Sequence, residues 1–293
     1  MLRCRMASLG ASLPGPRWRR RGSLWHAQKA GKECLARSPY RPSDVEVLIN
    51  TGVNRDGHTC EPAIATYVLK ALGINTDFRG SRTLGFDLLN GGCGMLNAAQ
   101  VLATLMQSGQ ARVGMVVSSE ANSDRDPDPA YRYPPSGAAV LLDIAPLSGT
   151  GFGAFAFRTL DEHADLYSSV VNMTGKHGRL LLRRKDELDA AYRQGAAEVV
   201  EEVLSQGHLA RDDLDLVIPA QLSGPFLAEL PAAIGLPREK VLDLSSVLED
   251  TLTTSVFLAT HHALETGRAG PGKTALLLAF GSGVTVGAAT YRF

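Results

Sequence analysis

Apolar residues in this chain fall into two kinds of run. Short, nearly unbroken runs recur at "VEVLIN" (45–50), "ARVGMVVSSE" (111–120), "AAVLLDI" (138–144), "LDLVIPAQ" (214–221) and "KTALLLAFGSG" (273–283). Runs of this length, ended by polar or glycine-rich text, predict buried strands. Longer stretches between them carry apolar residues at helical spacing: "EPAIATYVLKALGI" (61–74), "LNAAQVLATLMQSGQ" (96–110) and "TTSVFLATHHALETGRAG" (253–270). In "KDELDAAYRQGAAEVVEEVLSQG", residues Leu188, Tyr192, Ala196, Val199, Val203 and Leu204 form one stripe of an amphipathic helix. Strand and helix signals that alternate in this way predict an α/β layered fold. The exception is "ANSDRDPDPAYRYPP" (121–135), whose prolines disrupt any regular element and make it a loop.

The pattern repeats itself. "VEVLINTG" resembles "LDLVIPAQ", and "VLATLMQSGQARVGMVVSS" resembles "FLATHHALETGRAGPGKTALLLAFGSG". Both helices contain Leu-Ala-Thr, at 102–104 and 258–260. Ten residues before each alanine stand Cys93 and Glu249, with Asp250 beside the latter. This reads as a duplicated α/β unit, with one half over 1–150 and the other over 151–293. Its two equivalent helix N-termini would bring Cys93 and Asp250 to opposite sides of one central site.

Charge narrows the function. The 293 residues hold 30 Lys and Arg against 30 Asp and Glu, so no global positive field favours nucleic acid. One local basic run, "RWRRR" at 17–21, reads as a solvated turn or as a phosphate-contacting mouth. Cys4, Cys34, Cys60 and Cys93 form no CxxC pair, which argues against bound zinc. No apolar run nears the roughly 18 residues that span a membrane. The N-terminal text lacks the apolar core of a secretion signal, so the expected location is cytoplasmic.

Chemistry concentrates in "FDLLNGGCGM" (86–95). A cysteine that opens a helix faces unpaired backbone N–H groups and the positive end of the helix dipole, which favour a thiolate. Gly91, Gly92 and Gly94 allow a sharp turn and close approach of a substrate. Cys93 is therefore either a nucleophile or a small buried side chain. The other glycine-rich segment, "FGSGVTVGAA" (280–289), follows a strand and lacks the spacing of a phosphate-binding loop. Gly281 and Gly283 there either turn backbone N–H groups toward an acyl oxygen or make a tight turn between two buried strands.

Taken together, "GFDLLNGGCGM", "DDLDLVIPAQ" and "LPREKVLDLSSVLEDTLTTSVFLATHHALETGRAGPGKTALLLAFGSGVTVGA" resemble, in order and spacing, the thiolase-like superfamily and within it the ketoacyl-acyl-carrier-protein synthase III group. The resemblance covers roughly 40–293. It implies a five-layered α-β-α-β-α fold built from two similar halves, usually a homodimer, with a heterodimer with another synthase as the variant. It implies no tightly bound cofactor and no metal. The substrate would be an acyl thioester of coenzyme A or of acyl carrier protein, in fatty acid or polyketide biosynthesis or secondary metabolism.

The family works with cysteine, histidine and asparagine. Cys93 matches its nucleophile. Ala220 falls at the histidine position and Asp250 at the asparagine position. His163, His177, His208, His261 and His262 lie elsewhere along the chain. Trp18 and Arg20 are the counterparts of residues that grip the thioester carrier. Alanine offers no hydrogen bond, and an ionised aspartate would repel a developing enolate. The expected function is therefore an acyltransferase that loads Cys93 and passes the acyl group to an oxygen or nitrogen acceptor, with Asp250 as base. Two alternatives stand beside it. One is a degenerate partner subunit of a condensing-enzyme heterodimer. The other is an atypical 3-oxoacyl synthase III that makes a carbon–carbon bond.

Overall fold

The computed structural model describes residues 4–13, 21–76, 82–145, 149–172 and 178–293. Strands β1 (Cys4–Ser12), β2 (Val47–Asn50), β3 (Leu84–Asp87), β4 (Val113–Glu120) and β5 (Ser136–Ile144) form one sheet in the order β1-β5-β4-β2-β3. Strands β6 (Gly151–Thr159), β9 (Leu216–Pro219), β10 (Thr274–Gly281) and β11 (Thr285–Arg292) form a second, in the order β6-β11-β10-β9. Between β6 and β9 in the chain, β7 (Tyr167–Asn172) and β8 (Arg179–Arg184) make a separate antiparallel pair.

The two large sheets share one plan. In the first, β1–β5 and β5–β4 are antiparallel and β4–β2 is parallel. In the second, β6–β11 and β11–β10 are antiparallel and β10–β9 is parallel. Strand β3 extends the first sheet, and its counterpart in the second is only a single bridge, Val217 to Val241.

Helices α1 (Ser23–Ala36) and α2 (Ile64–Ala71) pack on the first sheet only, and α4 (Leu188–Gly207) on the second. Helix α5 (Gly224–Ile234) packs on α4. Helices α3 (Gly94–Gln107) and α6 (Ser255–Glu265) touch both sheets and form the middle layer. The result is the α-β-α-β-α order the resemblance implies.

Period-two alternation fixes which face each strand turns to which layer. Leu48, Met115, Val117, Ala139 and Leu141 join α1 and α2 in an outer core. Their neighbours Ile49, Val116, Ala138, Val140 and Leu142 face the central core around α3. Both faces are apolar, which is why these strands read as unbroken runs. All six residues of the predicted α4 stripe are buried.

Two helices start on distant carboxylates. Asp56 accepts from the backbone N–H of Ser23 (2.7 Å) and Leu24 (3.1 Å) at the start of α1. Asp87 accepts from those of Ile64 (2.8 Å) and Ala65 (2.9 Å) at the start of α2. Asp87 also takes a hydrogen bond from Asn50 Nδ2 (3.2 Å) and pairs with Arg55 at 2.9 Å. Arg55 and Asp87 side chains are only 11% and 10% exposed, so removing one leaves the other charge stranded. Asp87→Ala should destabilise the protein by about 3–5 kcal/mol, read as a lower midpoint in urea with an unchanged slope. A loss under about 0.5 kcal/mol would show that this pair carries little.

Candidate active site

A 3-10 turn over Gly91–Cys93 leads into α3, and Cys93 is the residue just before that helix. The end of β10 presses against this turn. A β-carbon on Gly92 would lie 2.1 Å from the carbonyl oxygen of Phe280. One on Gly281 would lie 2.8 Å from the oxygen of Asn90 and 3.4 Å from Cys93 Sγ. Neither position tolerates a side chain, so Gly281 is where the second sheet reaches the thiol. The thiol donates to the carbonyl of Thr285 at 3.4 Å.

Cys93 is 0% exposed and lines neither of the two cavities beside these turns. Burial pushes its pKa well up, and the backbone N–H of Gly287 opposes this only in part. The sequence predicts a lowered value from the helix terminus. Desolvation of the thiolate outweighs that effect here.

The second half answers with its own 3-10 turn, Leu252–Thr254, ahead of α6. The two turns are in contact, and the oxygen of Leu252 lies 3.6 Å from a β-carbon placed on Gly92. Leu252 holds a left-handed φ of 54°, a strained conformation for a branched side chain. Asp250 sits just before this turn, and its Oδ1 accepts from the Leu252 N–H at 2.8 Å. Burial raises the Asp250 pKa to about 7, against the lowering effects of that N–H and of Arg184. Tyr192 lies under the electrostatic influence of both Cys93 and Asp250, and its hydroxyl donates to the carbonyl of Gly281 at 3.2 Å.

Glu120, at the end of β4, is a site feature the sequence reading passed over. It is 0% exposed and accepts from the N–H groups of Val53 (3.0 Å) and Asn54 (3.0 Å) and from Asn54 Nδ2 (2.6 Å). Thr253 Oγ1 donates to it at 2.5 Å, which ties the second turn to the first sheet. Burial raises its pKa to about 7. An acid ending an otherwise buried strand was the available signal.

Two cavities flank the turns. One of about 1100 Å³ is lined by Tyr133, Arg132, Arg183, Arg184, Gln221 and Asp250, among others. One of about 360 Å³ is lined by Gly91, Tyr167, Leu252 and Gly283, among others. Ser168 lines both. Gly283, with φ of 82° and open space where a β-carbon would stand, thus opens on the smaller cavity, and Gly281 on the thiol. Ala220 is 1% exposed in the core, its N–H donating to Leu278. No described histidine lines either cavity, and His261 instead approaches Glu33. Trp18, Arg20 and His177 lie outside the described residues. Among the described residues, no cluster of His, Cys, Asp and Glu is suited to a metal ion, and no helix is long and apolar enough to cross a membrane.

Residues 204–293 match the sequence profile of the family described as 3-oxoacyl-[acyl-carrier-protein (ACP)] synthase III C terminal. The chain is 27% identical over 278 residues to the beta-ketoacyl-[acyl-carrier-protein] synthase III of Erythrobacter litoralis, covering 91% of this chain and 83% of that one. It is 29% identical over 278 residues to the corresponding synthase of Rhizorhabdus wittichii, with 91% and 83% covered. Among solved structures, 3-oxoacyl-[acyl-carrier-protein] synthase III from Aquifex aeolicus superposes with a TM-score of 0.85 at 20% identity, over 99% of this chain and 100% of that one. Xanthomonas campestris OleA, solved with bound lauric acid and lauroyl-CoA, gives 0.85 at 18% identity, over 99% of each chain.

The fold is thiolase-like, and the chain is an acyltransferase-type enzyme. Its sequence is similar to the synthase III group. These likenesses overturn the expectation of acyl transfer to an oxygen or nitrogen acceptor. A β-ketoacyl product, which the relatives' names specify, requires a new carbon–carbon bond. The physical error lay in treating Asp250 as ionised. Burial raises its pKa to about 7, so near neutrality much of it is a neutral acid, which lacks the charge that would repel an enolate.

Two outcomes follow from this packing. Gly92→Ala should destabilise the protein by at least about 1–3 kcal/mol and Gly270→Ala, in open space, by less than about 0.5 kcal/mol; equal melting temperatures would refute the close approach. Brief iodoacetamide treatment of the resting protein should label exposed Cys60 before buried Cys93. Faster labelling at Cys93 would mean the thiol is open in solution.

Proposed function

We propose that the protein is a condensing acyltransferase that forms a carbon–carbon bond. Cys93 attacks the acyl thioester of coenzyme A or acyl carrier protein, and the departing carrier thiol receives the proton that Cys93 loses. The carbon–carboxylate bond of a malonyl thioester then breaks, carbon dioxide leaves, and the electron pair left on the α-carbon attacks the acyl group on Cys93. The new carbon–carbon bond forms as the carbon–sulfur bond breaks, and the thiolate returns to Cys93. What carries this reading is the similarity to β-ketoacyl synthases along 91% of the chain.

Ala220 and Asp250 stand, in this reading, where the synthase III group has histidine and asparagine. A protonated Asp250 is a fair substitute for asparagine, because both present a donor and an acceptor. Gly281 and Gly283 supply backbone near the acyl oxygen. The homodimer expected from the resemblance is supported by β3, an edge strand with Leu84 56% exposed and Leu89 beside it 54% exposed.

Intact mass spectrometry with lauroyl-CoA and malonyl-CoA tests the reaction. The expected result is an acyl adduct that Cys93→Ala abolishes, followed by loss of carbon dioxide and a longer 3-oxoacyl product. Acyl transfer to an alcohol or amine with no such product would sink the reading. The pH profile tests Asp250. Its carboxyl is a donor below its raised pKa of about 7 and an anion above it, so condensation should fall as pH rises through 7. Asp250→Asn cannot ionise, and its profile should lose that fall.

A further inference from the structure

The two cavities end at a shared wall of phenols. Tyr133 lines the larger one, beside Asp250, and Tyr167 lines the smaller one, beside Gly91 and Gly283. The Tyr133 hydroxyl donates to the Tyr167 hydroxyl across 3.2 Å, and no other hydrogen bond is made by either side chain among the described residues. After burial, Asp250 is the group that acts most strongly on Tyr133. The hydroxyl pair therefore spans the boundary between the carboxyl in one cavity and the glycine backbone in the other.

Condensation needs hydrogen-bond donors where enolate charge develops. Ala220 has none. Gln221 lines the larger cavity, but its amide is committed: Nε2 donates to Pro219 (2.8 Å) and Leu242 (3.2 Å), and Oε1 accepts from Leu244 (2.7 Å). Arg184 is engaged with Asp189. Tyr133 differs, because its partner is another hydroxyl. A hydroxyl pair can reverse direction: Tyr167 donates back, and Tyr133 turns its own proton toward the cavity. Burial raises the pKa of both phenols, Tyr167 to about 12, so both remain protonated donors at neutral pH.

We propose that Tyr133 is a catalytic hydrogen-bond donor in the condensation, binding the oxygen of the second thioester on which enolate charge develops, with Tyr167 as the hydroxyl that positions it. This rests on the condensing function proposed above. Tyr133 keeps its proton throughout. The electron pair of the enolate forms the carbon–carbon bond, and the pair of the broken carbon–sulfur bond leaves on Cys93.

The test separates loading from condensation, using the whole protein with lauroyl-CoA and malonyl-CoA. Formation of the 3-oxoacyl product by the wild type is measured first. Its absence sinks the condensing function and this proposal together. With product established, Tyr133→Phe should slow condensation about 100-fold, as loss of one such donor does. Loading of Cys93, read by intact mass, should change less than about three-fold, within the scatter of a group outside that step. Tyr167→Phe should slow condensation about ten-fold through the same donor and likewise spare loading. Condensation by Tyr133→Phe within three-fold of wild type overturns the proposal and leaves the condensing function standing. Equal losses of loading and condensation overturn it too, because a hydroxyl that only holds the wall would damage both steps. Should Tyr133→Phe fail to fold, Tyr167→Phe decides by the same two readouts.

Discussion

A β-carbon on Gly92 would stand 2.1 Å from the carbonyl oxygen of Phe280, so the turn that carries Cys93 can meet the end of β10 only as glycine. The rest of the site depends on that contact. It brings Gly281 against the thiol and seats the thiol under the start of β11, where Thr285 accepts its hydrogen bond. It also sets the first turn on Leu252 of the second turn. Backbone approach at this range is rigid, because no side chain remains to rearrange. The same closeness that positions the sulfur excludes water from it, and exclusion raises the cost of the thiolate. In the proposed reaction, loading an acyl group on Cys93 would therefore demand that a substrate enter and replace the missing solvation.

Burial acts on the acids in the same direction. Glu120 and Asp250 are both raised to about 7, well above ordinary carboxylates. The folded state holds these protons more tightly than the unfolded chain does. Their contribution to stability is therefore full below the ordinary carboxylate range and is lost as pH rises through 7. Glu120 and Thr253 bind the second turn to the first sheet, while Asp250 faces the larger cavity from the same turn. The segment around the second turn thus reaches the buried Glu120 of β4 through Thr253 and carries an acid of its own, Asp250, into the larger cavity. Ionising either strains the site, and the fold tolerates this because each carboxyl keeps backbone N–H donors: Val53 and Asn54 for Glu120, Leu252 for Asp250.

What could be read in advance follows from how each part is buried. Strands β2, β4, β5, β9 and β10 lie between two apolar layers, so their sequence is an unbroken apolar run with no competing reading. The stripe on α4 was equally plain. Strand β1, "CRMASLGAS", carries small and polar residues and gave no such signal. Helix α1 was missed because its capping acid, Asp56, is 33 residues from the first N–H it accepts. The β7–β8 pair turns Tyr167, Leu180 and Leu182 inward, but Val170 is 50% exposed and arginines flank the three leucines of β8, so its apolar run is too short to stand out. Cys93 stood out because glycines mark close backbone approach, which is a property of sequence. Its raised pKa did not, because burial is a property of the whole fold.

The duplicated plan explains where the site is, and the parts outside it explain what the site contains. Each half supplies a 3-10 turn ahead of a central helix, one ending in Cys93 and the other preceded by Asp250. Those turns are fixed by matched sheets and leave little freedom for chemistry to vary. The side chains around them come from elsewhere. Tyr133 sits in the proline-rich loop between β4 and β5, Tyr167 opens β7, and Tyr192 rides on α4. That loop is pinned to β8 by carboxylates, Asp124 accepting from the Leu180 N–H and Asp128 from that of Leu182. An irregular segment held this way can carry side chains as reliably as a strand while remaining free of the sheet's periodicity. A fold whose cysteine seat is immovable can therefore change the donors around it through the loop and hairpin alone.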